Sequence, residues 1–214
     1  MLRPSTIVIY DDLEADHPAE WTWLLHNDKG LEIDSDKKTM VAANEFANVQ
    51  VSLNSSTALD FIVTDTFSIP ARNWNRKVDQ DGNLIDFVDQ WHFSGITKEK
   101  NPKMRFLAII QVKPKSGDSV CEDVVFDETT TTYSVGDWKI SAEMNTDKAA
   151  MIKVEKSDGS AGFVSNDILT FGGKDYNGRS MQSAKLMEIV DGNPIFKEST
   201  DQIPDAIRKA SLRF

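Results

Sequence analysis

Trp21-Thr22-Trp23-Leu24-Leu25-His26, preceded by Thr6-Ile7-Val8-Ile9-Tyr10-Asp11, is the stretch on which the fold turns. Side chains alternate across an extended chain, so Trp21, Trp23 and Leu25 fall on one face and Thr22, Leu24 and His26 on the other. The first set predicts a strand that closes a core with two indoles. The second leaves an imidazole at the strand's end, and that imidazole has two readings: it hydrogen-bonds a neighbouring loop, or it ligates a metal, as neutral imidazole commonly does.

Working outward, the chain keeps the same habit. Asn27-Asp28-Lys29-Gly30 turns toward residues 31–33, and Lys37-Lys38 precedes the apolar run 39–43. Phe46, Val49, Val51 and Leu53 alternate loosely, and residues 59–65 are apolar and β-branched. Trp91-His92-Phe93 and the long apolar run 104–112 follow, with residues 98–103 expected as a polar connector between them. Later runs at 129–135, 138–142, 150–155, 161–164, 185–190 and 195–197 are separated by Gly136-Asp137, Ser157-Asp158-Gly159-Ser160 and Asp191-Gly192-Asn193-Pro194. Short β-branched runs between such turns favour strands in antiparallel meanders. The expectation is an all-β protein, an antiparallel, supersandwich-like β-sandwich. At most a short C-terminal helix is expected, over 201–210, with Pro204 near its start and Arg208 and Lys209 near its end. No low-complexity linker compels a division, so residues 1–214 are expected to form a single domain.

Composition limits the partners. With 34 acidic against 24 basic residues the net charge is -10, a surface that repels phosphate backbones and argues against nucleic acid. It also repels polyanionic glycans at long range, so a uronic acid polymer would need a local basic cluster. The compact basic and aromatic group is Ile69-Pro70-Ala71-Arg72-Asn73-Trp74-Asn75-Arg76-Lys77. There an indole could stack on a sugar ring and an Arg fork could pair with a carboxylate or sulfate. The plainer alternative is a loop anchored by Trp74 whose charges are solvated.

Asp79-Gln80-Asp81-Gly82-Asn83 departs from a calcium loop, which needs its glycine at the sixth position and a Glu at the twelfth; an Asp-Gly turn accounts for it. Phe171-Gly172-Gly173-Lys174 lacks the spacing of a phosphate loop and reads as a hairpin end. Cys121 is the sole cysteine, expected as a small buried hydrophobe. No run approaches the ~20 apolar residues of a membrane span. The start, Met1-Leu2-Arg3-Pro4-Ser5, enters a strand without the apolar region of a signal peptide.

An apolar strand closing in Asp11, a polar loop, and a Trp/Leu-rich strand closing in His26 resemble the heparinase II/III-like β-domain of polysaccharide lyases. Trp91-His92-Phe93 and Met104-Arg105-Phe106-Leu107-Ala108-Ile109-Ile110-Gln111-Val112-Lys113-Pro114 resemble the later part of that domain, and the likeness covers residues 5–115. It implies the C-terminal β-sandwich of a secreted or periplasmic bacterial enzyme that cleaves uronic acid polymers by β-elimination. The catalytic side chains of such lyases lie largely in an N-terminal helical toroid, for which this chain has no amphipathic helices. The chain is thus expected to be a non-catalytic fragment that supports the toroid and contacts an acidic polysaccharide through Arg72, Trp74 and Arg76. By the same resemblance His26 is a metal ligand, holding zinc only with a His and an Asp from strands before Met1, and Asp11 is a turn residue or a supporting acceptor. Two alternatives of other classes stand beside this: a free-standing carbohydrate-binding module, and a protein-interaction domain without catalysis.

Overall fold

The structure is a computed structural model that describes residues 2, 5–67, 76–85, 90–116 and 121–157, and beyond them the backbone of five later strands. The chain is all-β and antiparallel, and the described residues contain no helix. The short helix expected at 201–210 lies outside them. Contacts divide the chain into two compact units, Met1–Glu122 and Asp123–Phe214, where sequence continuity alone carried one sandwich past Pro114.

The first unit is a two-sheet sandwich. Its strands are β1 (Thr6–Ala19), β2 (Thr22–Asn27), β3 (Leu31–Asp34), β4 (Thr39–Ala43), β5 (Ala47–Ser55), β6 (Leu59–Thr64), β7 (Trp91–Thr97) and β8 (Asn101–Pro114). One sheet has the order β1-β8-β5-β4-β3 and the other β2-β7-β6. The alternation expected here is realised: Trp21, just before β2, and Trp23 and Leu25 within it pack on the core, whereas Leu24 is exposed. Phe93 at the centre is fully buried, with Phe61 edge-on at 5.1 Å and Trp23 at 6.3 Å. Opposite lie Met40, Val51, Leu53, Met104, Phe106 and Ala108. Gly95 permits a close approach here, since a Cβ on it would stand 3.0 Å from Leu53 Cδ2. The Trp21 indole N–H donates to the Asn101 carbonyl at 2.8 Å, which gives the polar end of a half-buried ring its partner.

Two boundaries differ from expectation. β1 continues to Ala19, so Asp11 lies within a strand opposite Phe106 rather than at its close, and burial pushes its carboxyl up. The register of β1 against β8 shifts between Glu14 and Ala19, opposite Pro102, which has no N–H to donate to the ladder. Likewise β8 begins at Asn101, so part of the expected connector is strand.

β8 is buried from Met104 through Ile109, on both faces. On the face away from the sandwich core, Gln111 is 1% exposed. Its side-chain amide donates to the Glu122 carbonyl at 2.6 Å and accepts from the Glu122 N–H at 2.9 Å, so the returning chain satisfies it as a strand would. Cys121 is half-buried beside it, and desolvation raises its thiol pKa. Arg105, on the same face, is 3% exposed and its Nε donates to Asp12 at 2.8 Å across the β1–β8 pair.

The second unit holds a seven-stranded antiparallel sheet formed by β9 (Val125–Asp127), β10 (Thr132–Val135), β11 (Trp138–Ala142), β12 (Met151–Lys156), β13 (Ala161–Ser165), β16 (Lys185–Val190) and β17 (Asn193–Glu198). A hairpin of β14 (Ile168–Phe171) and β15 (Lys174–Asn177) is inserted between β13 and β16, with Phe171 opposite Lys174 as the Gly-Gly turn predicts. The hairpins expected at Ser157-Asp158-Gly159-Ser160 and Asp191-Gly192-Asn193-Pro194 pair as β12–β13 and β16–β17, with Asn193 and Pro194 of the second expected turn already paired in β17. Tyr133, Val135 and Ile140 are its buried apolar side chains on β10 and β11, and burial raises the Tyr133 hydroxyl pKa.

Asp12→Ala should lower unfolding free energy by about 1.5–3 kcal/mol, the range for a hydrogen bond to a charged group, because a nearly buried guanidinium loses its carboxylate. Asp16→Ala, at a side chain 96% exposed, should change it by less than about 0.5 kcal/mol in the same urea titration. Equal effects would show that Asp12 contributes nothing beyond its surface position.

Candidate functional site

The pairing of β7 with both β2 and β6 sets three residues in a row: His26 faces His92, and His92 faces Thr64. The row lies on the face of the three-stranded sheet opposite the one carrying Trp23, Phe93 and Val63 to the core, because neighbours along a strand alternate. The imidazole centroids of His26 and His92 are 5.8 Å apart. Phe67, just beyond β6, places its ring 4.5 Å from His92 and 6.3 Å from His26. His92 Nδ1 is buried without a hydrogen-bond partner, an orphaned polar atom next to a second imidazole.

The two rings bear on the metal reading. Tetrahedral zinc takes four ligands, and His26 with His92 would supply two nitrogens. Among the described residues no group of three or more His, Cys, Asp or Glu side chains comes together, so the pair is half of a zinc site at most. The further ligands would have to come from outside these residues. Zinc, when bound, would lock the two strands' imidazoles in one orientation and contribute folding free energy.

The basic loop is described only in part. Arg72 and Trp74 lie outside the described residues. Arg76 is exposed and adopts a left-handed backbone with φ 49°, uncommon for a residue with a Cβ. Next to it the Lys77 carbonyl accepts from Ile85 at 3.0 Å and Val78 bridges Leu84. Between them Asp79 caps a tight turn: its carboxylate accepts from the backbone N–H of Asp81 at 2.9 Å and of Asn83 at 2.8 Å, and Gly82 takes φ 85°. The Asp-Gly turn expected from sequence is thus formed, and the Asn83 hydrogen bonds hold the Asp79 carboxyl below the ordinary range.

No family model matches the chain, and a search of curated proteins finds no significant relative.

Sequence reasoning singled out His26 alone as a metal ligand; β-register sets His92 directly opposite it. It gave Phe67 no part. The ring follows β6 by three positions, and its place over the imidazoles depends on which strands flank β7, a long-range property without a local signal.

His92→Phe should raise unfolding free energy by about 1 kcal/mol, since it removes a buried unpaired nitrogen and keeps a flat ring against Phe67. A drop in the denaturation midpoint would mean that the imidazole makes a stabilising interaction, a metal included. For Asp79, whose folded pKa lies below its unfolded one, the turn's stabilisation is present above the unfolded value and lost as pH falls through the folded one. Amide exchange at Asn83 should therefore accelerate in acid beyond its intrinsic pH dependence, and Asp79→Asn should flatten that excess.

Proposed function

We propose that this chain is the β-sandwich portion of a heparinase II/III-like polysaccharide lyase, a non-catalytic part that supports a helical toroid and contacts an acidic, uronic acid-containing polysaccharide, secreted or periplasmic with its parent enzyme. The observation that carries the reading is the sandwich of the first unit, in which Trp21 and Trp23 pack on the core at β2 and His26, the residue before the strand's last, is set beside a second histidine. Residues 5–115, over which the sequence likeness extends, fall within that unit.

The mechanism assigned to this chain is support and binding. β-Elimination at a uronate needs a base within hydrogen-bond reach of the C5 proton and a group that neutralises the carboxylate. His26 and His92 are not assigned to that work: a phenyl ring stands against both, and one nitrogen of His92 is buried. Arg72, Trp74 and Arg76 remain the proposed glycan contacts, with zinc at His26 proposed only together with ligands from beyond the described residues.

Purified chain incubated with heparan, chondroitin, hyaluronan and alginate should generate no ultraviolet-absorbing unsaturated uronate, and should be retarded in gels containing at least one of these polymers. Robust product that disappears in His26→Ala or His92→Ala would overturn the reading by placing catalysis within this chain. Absence of retardation on every polymer would remove the glycan contact.

A further inference from the structure

The two sheets of the first unit are unequal, five strands over three. β2 leaves the end of β1, held there by the Trp21 indole on the Asn101 carbonyl, and after Asn27 it turns into β3 at the other edge of the larger sheet. It therefore crosses that sheet from edge to edge. β7 and β6 lie on one side of the crossing, where Leu59 and Phe61 of β6 border an opening with Ser35 and Lys38 of the β3–β4 turn. The other side is the corner where β1 begins. There the core-side face of the larger sheet carries Ile7, Ile9, Ile110 and Val112, and Ile9 and Val112 are each 37% exposed. Leu13 packs on the core from β1, but Ile7 and Ile9 do not join it. Strands lie about 4.8 Å apart in a sheet, so one strand added beside β2 would pass across these side chains.

β2 is an edge of its sheet, and its pairing phase fixes what that edge presents. The Thr97 N–H donates to the Trp21 carbonyl at 2.9 Å. Hydrogen-bonded pairs alternate along an antiparallel ladder, so Trp23 and Leu25 turn their backbone groups to β7, and Thr22, Leu24 and His26 turn theirs outward. Edge strands are ordinarily blunted by charge, proline or a bulge. β1 has such guards in Asp11, Asp12, Glu14, Asp16, Pro18 and a register shift between Glu14 and Ala19. β2 has no Asp, Glu, Lys, Arg or Pro, and it pairs in unbroken register. An unguarded edge beside an uncovered apolar corner is the geometry by which a sheet takes up an added strand. Asp11 qualifies the chemistry. It shares the face of Ile7 and Ile9, and its half-buried carboxylate has no hydrogen-bond or ion-pair partner among the described residues.

We propose that the open edge of β2 takes up an extended segment of a partner polypeptide, with alternate apolar side chains turned onto Ile7, Ile9 and Val112, polar ones turned out beside Leu24, and a lysine or arginine among the apolar positions to meet Asp11. A second copy of this chain does not suit the edge, because pairing β2 with its copy would bring two five-stranded sheets over one corner. The cation follows from charge: a half-buried carboxylate in a chain of net charge -10 gains most from a basic partner. The proposal stands independently of the lyase and glycan readings.

The test is amide hydrogen exchange of the whole chain, read by NMR, alone and with a synthetic peptide of about nine residues that alternates threonine with valine and carries one lysine in a valine position. In the free chain the amides of Thr22, Leu24 and His26 should exchange faster than those of Trp23 and Leu25. Saturating peptide should slow the first set at least about tenfold and leave the second unchanged, and the same peptide with glutamate in place of lysine should bind about tenfold more weakly. Leu24→Pro removes an outward N–H and spares the β2–β7 ladder, so it should keep the fold and abolish the added protection. Should that variant fail to fold, Asp11→Asn carries the test: it should erase the preference for lysine over glutamate. Outward amides already as protected as Trp23 and Leu25 in the free chain, or unmoved by the peptide, overturn the proposal, as does equal binding of the two peptides by the parent. Concentration-dependent dimers that protect the same amides overturn it too, by assigning the edge to a second copy.

Discussion

Burial of β8 on both faces is the constraint on which the first unit depends. A strand covered on one side can tolerate polar residues on the other, but Arg105 and Gln111 sit on the second face at 3% and 1% exposure. Each needs a partner that cannot be exchanged for water. Arg105 takes Asp12 directly across the ladder, and Gln111 takes both backbone groups of Glu122. Slipping β1 by one residue would turn Asp12 to the other face and leave a guanidinium without that carboxylate. The polar pairs thereby fix register, while Phe93, Phe106 and their neighbours supply most of the burial.

The strands were legible because their signal is local. Trp21, Trp23 and Leu25 alternate with polar residues and hydrophobic Leu24, and Asp-Gly or Gly-Asp steps punctuate the second half, so strand position follows from period and turn chemistry alone. The ends were harder. Residues 12–19 read as a polar loop because Asp12, Glu14, Asp16 and His17 are charged or ionisable, yet they continue β1. An edge strand needs one protected face at most, and Leu13 alone of its later residues packs on the core. Nor does local pattern reveal that β8 lies between β1 and β5, since those pairings span much of the unit.

The candidate site divides along the same line. That His26 lies near the end of a strand is a local fact; that His92 stands opposite it is a matter of register between segments more than sixty residues apart. The Arg76 end of the basic loop shows how partial a motif can be, since its backbone takes a conformation that composition cannot predict.

Charge links these scales. A net charge of -10 sets a repulsive field toward a polyanion, but that field decays over about 8 Å at physiological ionic strength. Repulsion of this kind slows encounter and leaves dissociation to the local contacts, so it selects ligands whose negative groups can reach an ammonium over those that merely carry charge.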